Sequence, residues 1–235
     1  MPTTRNIMSS LLFSLPFIGN QPGDISAGQP ALDAANLLKQ TIMGPPFTWP
    51  WNRATLGPTP VSGGDQDYTI PVTTFGFLEQ AWLIDAKGKA KEIPVVPTLS
   101  VESAIQRPQS CAVELQDDLS ISIRLNTLPD QPYTLDGFYQ KAPVLMTSLA
   151  SSWAPIPDNL AYITDWGFLA MMSMITKDIR QQIFMQKFAA HLLGAQDGLT
   201  ATQRNIFIGE WLSLLSQTDR TRATTQQGIG ARSQS

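Results

Sequence analysis

The sequence predicts an α+β protein in which an antiparallel β region lies between a short N-terminal helix and a long helical C-terminal third. Three observations carry this reading. Between Phe47 and Leu149, short runs alternate apolar and polar residues. From Asp158 onward, apolar residues recur at steps of three or four. Beyond Gln217, they almost vanish.

The N-terminal run Leu11–Ile18, LLFSLPFI, follows Arg5 and has the flavour of a secretory apolar core. It is short, Pro16 interrupts it, and Gly19-Asn20-Gln21-Pro22 follow where a small-residue cleavage site would stand. Nowhere else is there a run near the roughly 20 apolar residues of a membrane span. A soluble chain without a membrane partner is therefore expected.

The first helix is expected over Pro30–Met43. Pro30 suits a first turn, Leu32, Ala35, Leu38 and Ile42 recur at helical spacing, and Gly44-Pro45-Pro46 ends the run. In the next segment, FTWPWNR, Trp49 and Trp51 share a face if the chain is extended. They are open to two readings, an anchor under the sheet or a stacking platform for a base or sugar. Pro50 between them is tolerable only at an edge or bulge.

Strand signals follow at Tyr68-Ile70-Val72, Leu78–Ile84, Ala90–Val96, Ala112–Leu115, Ser120–Leu125 and Tyr133–Phe138. Asp85-Ala86-Lys87-Gly88-Lys89 reads as a hairpin loop with an exposed tip at Ala86–Lys89. Period-two alternation broken at short intervals by turns marks antiparallel sheet buried on one face, folded over as a small sandwich. Val144-Leu145-Met146 is either one more strand or the start of a Ser-rich link.

The period becomes helical at Asp158. Leu160, Ile163, Gly167, Ala170 and Met174, then Ile179, Ile183, Lys187 and Leu192, trace helix faces. Ala161–Ile175 is so apolar, despite Asp165, that Trp166 and Met174 are expected to be largely buried. Thr176-Lys177-Asp178 breaks the run, with Thr176 as a candidate N-cap. After a loop at Gly194–Leu199, Thr200 and Gln203 make a capping box before a last helix over Ala201–Gln217. Thr218–Ser235 is too polar to hold a fold of its own. The expected segments are thus 1–45, 46–154, 155–217 and 218–235.

Charged residues are 15% of the 235, against the usual quarter, which leaves a surface of Ser, Thr, Gln and Asn suited to contact between copies. The net charge of −3 argues against neutralising phosphates. A single cysteine excludes an internal disulfide, and one cysteine with one histidine removes the usual zinc sites. Cys111, in CAVEL, reads as a small buried hydrophobe. No phosphate-binding glycine loop, HExxH or GxSxG is present.

Other polar candidates read as structural. His191 reads as a packed or boundary histidine, and Asp117-Asp118 as a solvated turn. Asp24, Asp33, Asp65 and Asp67 lack calcium-loop spacing. Met171, Met172 and Met174 are core packing or an adaptable contact surface. No catalytic residue, metal or cofactor is expected.

An ordered set of motifs resembles the head-to-tail adaptors of tailed bacteriophages, the tail-tubular-A-like or head-completion connectors. It comprises WPWNR after the first helix, then QDYTIPVTTFGFLEQAWLIDAKGKAKEI with its Tyr-x-Ile-Pro strand and hairpin. Pro132–Tyr139 with Ala142-Pro143 follows, and Ile156-Pro157 opens the C-terminal helices. The resemblance covers about Ile25 to Leu193, and the helix Ala201–Gln217 goes beyond a minimal member.

The resemblance implies a helical bundle formed by the N- and C-terminal helices with an inserted antiparallel β-sandwich domain, to which the polar composition beyond Gln217 adds an extended C-terminal arm. It implies a ring, usually of about twelve copies, that meets the portal and a tail or nozzle protein. DNA would pass through its channel without sequence-specific contact. The abrupt change of composition after Leu215 marks Thr218–Ser235 as a docking arm, with Arg220, Arg222, Ile229 and Arg232 as its contacts, and the resemblance implies that the chain resides in the virion. A second reading is a ligand- or carbohydrate-binding β module using Trp49, Trp51 and Trp82.

Overall fold

The computed structural model describes residues 5–18, 29–70, 72–115, 120–196 and 199–209. It divides into two compact units, Met1–Leu38 with Met146–Ser235, and Lys39–Leu145.

In the β unit, the strands are β1 (Arg53–Thr55), β2 (Thr59–Val61), β3 (Asp67–Thr69), β4 (Phe75–Asp85), β5 (Ala90–Ile93), β6 (Cys111–Leu115), β7 (Ile121–Leu125) and β8 (Tyr133–Lys141). One antiparallel sheet has the order β1-β8-β4-β5, with β2 also paired to β8, and the other has the order β3-β7-β6. Their inward residues form one core: Ala81, Leu83, Ile93, Leu135 and Tyr139 from the first, Tyr68, Cys111, Ile123 and Leu125 from the second. The long alternations of β4 and β8 specify this register, since a slip of one residue would turn the apolar set outward. Gly137 lets β8 approach β4 closely: a Cβ there would lie 2.3 Å from the Gln80 carbonyl oxygen.

In the other unit, the helices are α1 (Ile7–Ile18), α2 (Gln29–Met43, which enters the β unit at Lys39), α3 (Ala161–Thr176) and α4 (Gln181–Gly194). A 3-10 turn at Asp158–Leu160 leads into α3. Residues 201–209 are again helical. The capping box forms: the Gln203 N–H donates to Thr200 Oγ1 at 3.2 Å, and the Thr200 N–H donates to Gln203 Oε1 at 2.9 Å.

α3 is the hub, packing against both α1 and α4. Gly167 makes its closest approach possible, because a Cβ there would lie 2.3 Å from Leu38 Cδ1 and 2.8 Å from Phe188 Cε2. α1 is tied to α3 by polar contacts: Asp165 pairs with Arg5 and accepts from Ser10 Oγ at 3.0 Å. Asn36 closes a two-way bond to the Met146 backbone, at 2.7 and 3.1 Å.

The expected bundle of N- and C-terminal helices is overturned. The chain is a mixed α/β protein with two antiparallel sheets, and its short helices pair off against α3. The physical reason lies in the apolar stripe. The face expected through Ile179, Ile183, Lys187 and Leu192 does not form: Ile179 lies in the turn before α4, Ile183 and Lys187 are exposed, and Leu192 alone is buried. The extended C-terminal arm lies outside the described residues.

Two smaller expectations change, and one open alternative is decided. Thr176 is not an N-cap; its hydroxyl donates to the Met172 carbonyl at 2.9 Å, and the break comes at Lys177 in the left-handed conformation. Trp166 and Met174 are half-buried, because the buried arc of α3 runs through Ile163, Gly167 and Ala170 instead. Of the two readings of Val144-Leu145-Met146, the structure takes the link: Val144 and Leu145 form no strand and are exposed. Among the described residues, no helix is long and apolar enough to cross a membrane.

Candidate functional surface

The corner between α3 and α4 is built locally. With Lys177 left-handed at the helix end, the Asp178 N–H reaches back to the Ser173 carbonyl at 2.9 Å, a Schellman-type closure. Asp178 then holds the next turn by accepting from the Arg180 N–H at 2.7 Å and pairing with its guanidinium at 2.9 Å. The corner is therefore pinned while its isoleucines, Ile175, Ile179 and Ile183, stay in water. Leaving three such side chains exposed forgoes the roughly 1.5–3 kcal/mol that burying each would contribute.

Beside this row, α3 and α4 present an aromatic and cationic cluster. Trp166 stacks on His191 with centroids 6.3 Å apart, Tyr162 meets His191 edge-on at 5.4 Å, and Lys187 Nζ lies 4.3 Å over the Trp166 ring. His191 is thus a half-buried packing group, as its apolar-leaning surroundings suggest. Exposed Tyr162 and Lys187 give the cluster an outward face.

Of the three tryptophans of the ligand-binding reading, Trp49 and Trp51 meet each other, and Trp82 packs elsewhere. Trp49 is buried and donates its indole N–H to the Ile42 carbonyl at 2.6 Å. Trp51 leans on it at 5.2 Å. Trp82 packs edge-on against Phe138 at 5.1 Å on the outer face of the larger sheet, with Arg53 over the same Phe138 ring. Trp49 is therefore a buried anchor and offers no open stacking face.

The hairpin tip Ala86–Lys89 is exposed, as its composition predicts. Asp85 Oδ1 accepts the N–H groups of Lys87 and Lys89, both at 2.9 Å. The bond from Lys89 chiefly holds the Asp85 carboxyl below its ordinary value of 3.8, helped by the Lys87 N–H and the fields of Arg107 and Lys87. A depressed carboxylate contributes order above its unfolded pKa and loses it as pH falls through the lower folded one. Amide shifts of Lys87 and Lys89 should therefore titrate together with a midpoint below 3.8. A midpoint at or above that value would contradict the two bonds.

Cys111 is fully buried, and burial pushes its thiol up to about 12, so it stays a protonated core group. Tyr68 is also raised to about 12, by burial first and then by Asp65 and Asp67. Its hydroxyl donates toward the Asp65 and Ser62 carbonyls. Met171 and Met172 are core. Among the described residues, no three His, Cys, Asp or Glu side chains are grouped to hold a metal. Asp24, Asp117 and Asp118 lie outside the described residues, as do Arg220, Arg222, Ile229 and Arg232.

Sequence reasoning passed over Arg107, which sits in the long non-alternating stretch before β6. The only available signal was that Glu102 and Arg107 are the sole charges between Pro97 and Ser110. No protein-family model matches the chain, and no curated protein matches it.

Proposed function

We propose that this chain is a non-enzymatic structural protein that assembles into a ring and serves as a head-to-tail adaptor of a phage virion. The ring joins the portal to a tail or nozzle protein and lines the channel through which DNA leaves. The exposed isoleucine row at the α3–α4 corner carries the reading. Soluble monomers rarely leave a sizeable contiguous apolar patch in water, and a larger one marks an interaction site. Cyclic assembly needs such a patch to meet a different patch on the neighbouring copy.

Two further observations support it. The ordered motifs from WPWNR to Ile156-Pro157 resemble the adaptor family. The chain is also slightly acidic and sparsely charged, which suits a channel that must let DNA slide, since each phosphate contact would add salt-sensitive grip.

The test is the double variant Ile179→Lys with Ile183→Lys. Both positions face water, so the subunit should keep its free energy of unfolding within about 0.5 kcal/mol per site. Its elution in size-exclusion chromatography with light scattering should collapse from a ring to a single copy. A variant that assembles as the parent does would remove the row from the interface.

A further inference from the structure

The second notable surface is one end of the β unit, where the β4–β5 hairpin meets the loop before β6. Asp85 faces Tyr133 across the β4–β8 ladder, which brings the hairpin tip beside the start of β8. The Arg107 guanidinium lies over the Tyr133 ring, 5.5 Å from its centroid. Its Nε and Nη2 are buried and have no hydrogen-bond acceptor. Arg5, Arg53, Arg124 and Arg180, by contrast, each pair with a carboxylate.

A guanidinium cannot relieve burial by losing its proton, so donors without an acceptor carry an uncompensated desolvation cost. Three more cations gather at this end. Lys87 and Lys89 are on the exposed tip, and Lys91 is on β5 with its ammonium 2.9 Å from Gln109 Oε1. Gln109 in turn donates to the Arg107 carbonyl at 2.9 Å, which links the strand to the loop. Lys87, Lys89 and Lys91 have no carboxylate partner among the described residues.

We infer that this end is a docking surface for a carboxylate-bearing segment of a partner protein, with Arg107 as the central contact and the three lysines around it. The acids present decide between a peptide and a nucleic acid. Asp85 is committed to the backbone of the tip, Asp130 accepts from Tyr133 Oη at 2.7 Å, and Glu92 and Glu102 are exposed nearby in sequence. Such interspersed negative charge repels a continuous phosphate backbone but leaves room for one or two discrete carboxylates. Arginine favours a carboxylate through charge-assisted bonding, and the half-buried Arg107 adds its fixed positive charge to that of the three exposed lysines. Ile105, 73% exposed two residues before Arg107, offers an apolar contact beside it. This surface would serve a single copy as well as a ring.

The test is fluorescence polarisation on the full chain, using a labelled peptide of alternating Asp and Leu. Its Asn/Leu counterpart and a labelled duplex DNA are the controls. The acidic peptide should bind, weaken as salt is raised, and outcompete both controls. Arg107→Gln should lose about tenfold or more in affinity. Lys87→Ala with Lys89→Ala should lose about threefold, as befits two exposed charges. Absence of binding at low salt, or DNA binding as tightly as the peptide, overturns the proposal. So does unchanged affinity in the lysine variant, which is decisive even if Arg107→Gln fails to fold, because both lysines project into water.

Discussion

Replacing Trp153 by alanine should cost about 3–5 kcal/mol of stability, among the largest losses from any single truncation in the helical unit. Trp153 is 1% exposed, packs edge-on against Phe168 at 6.2 Å, and donates its indole N–H to Ser10 Oγ at 3.0 Å and to the Asn6 carbonyl at 3.2 Å. Ser10 passes the connection to Asp165 on α3, so one side chain braces the link after the β unit, α1 and α3 together. The truncation leaves both a large cavity and unpaired acceptors. Trp166→Ala should cost clearly less, because that ring is half-exposed, with Lys187 and His191 lying against it. Urea unfolding of the two variants checks the ordering. Equal midpoints, or a Trp153→Ala protein as stable as the parent, would contradict the bracing role.

Gly137→Ala should destabilise the β unit by about 3 kcal/mol or more, the upper end for overpacking, because the obstruction is backbone. The added Cβ would stand 2.3 Å from the Gln80 carbonyl oxygen and 3.3 Å from Ala81 Cα, beside the irregularity between Leu78 and Gln80. No rotamer can relieve that contact; β8 would have to move off β4, its most extensive partner. Gly88→Ala is the control. It has open space around it and a φ of +77°, so only left-handed backbone strain of about 1 kcal/mol applies. Thermal unfolding should rank Gly137→Ala well below Gly88→Ala. The reverse order would show that the sheet yields at this point.

What could be read from the sequence follows the length of each pattern. β4 and β8 alternate over enough residues to declare themselves, and the Asp85–Lys89 loop identifies their hairpin neighbour. β1 and β2 are three residues each, and Pro60 inside β2 argues against a strand unless it sits at an edge, so neither was visible. Pro16 had the same effect on α1, which nevertheless continues to Ile18.

The C-terminal periodicity ran Ile179 into the same face as Ile183, Lys187 and Leu192, but Ile179 lies in the turn before α4 and Leu192 is buried while the others are exposed, because period alone places neither a helix end nor the face that is covered. The bundle expectation failed at that step. Long-range pairings such as Arg5 with Asp165, 160 residues apart, leave no local trace. Arg107 was equally silent, since its significance comes from Tyr133 and the hairpin brought beside it by folding.

The most direct test of the central claim is the native mass of the purified chain in solution, measured across a range of protein concentrations and salt. The adaptor reading predicts a closed species of many copies with one discrete mass, visible as a ring with a central channel in negative stain. A discrete ring in the parent that dissolves on substituting Ile179 and Ile183 would join the assembly to the surface described above. A chain that stays a single copy at every concentration, with its isoleucine row still in water, would contradict the account.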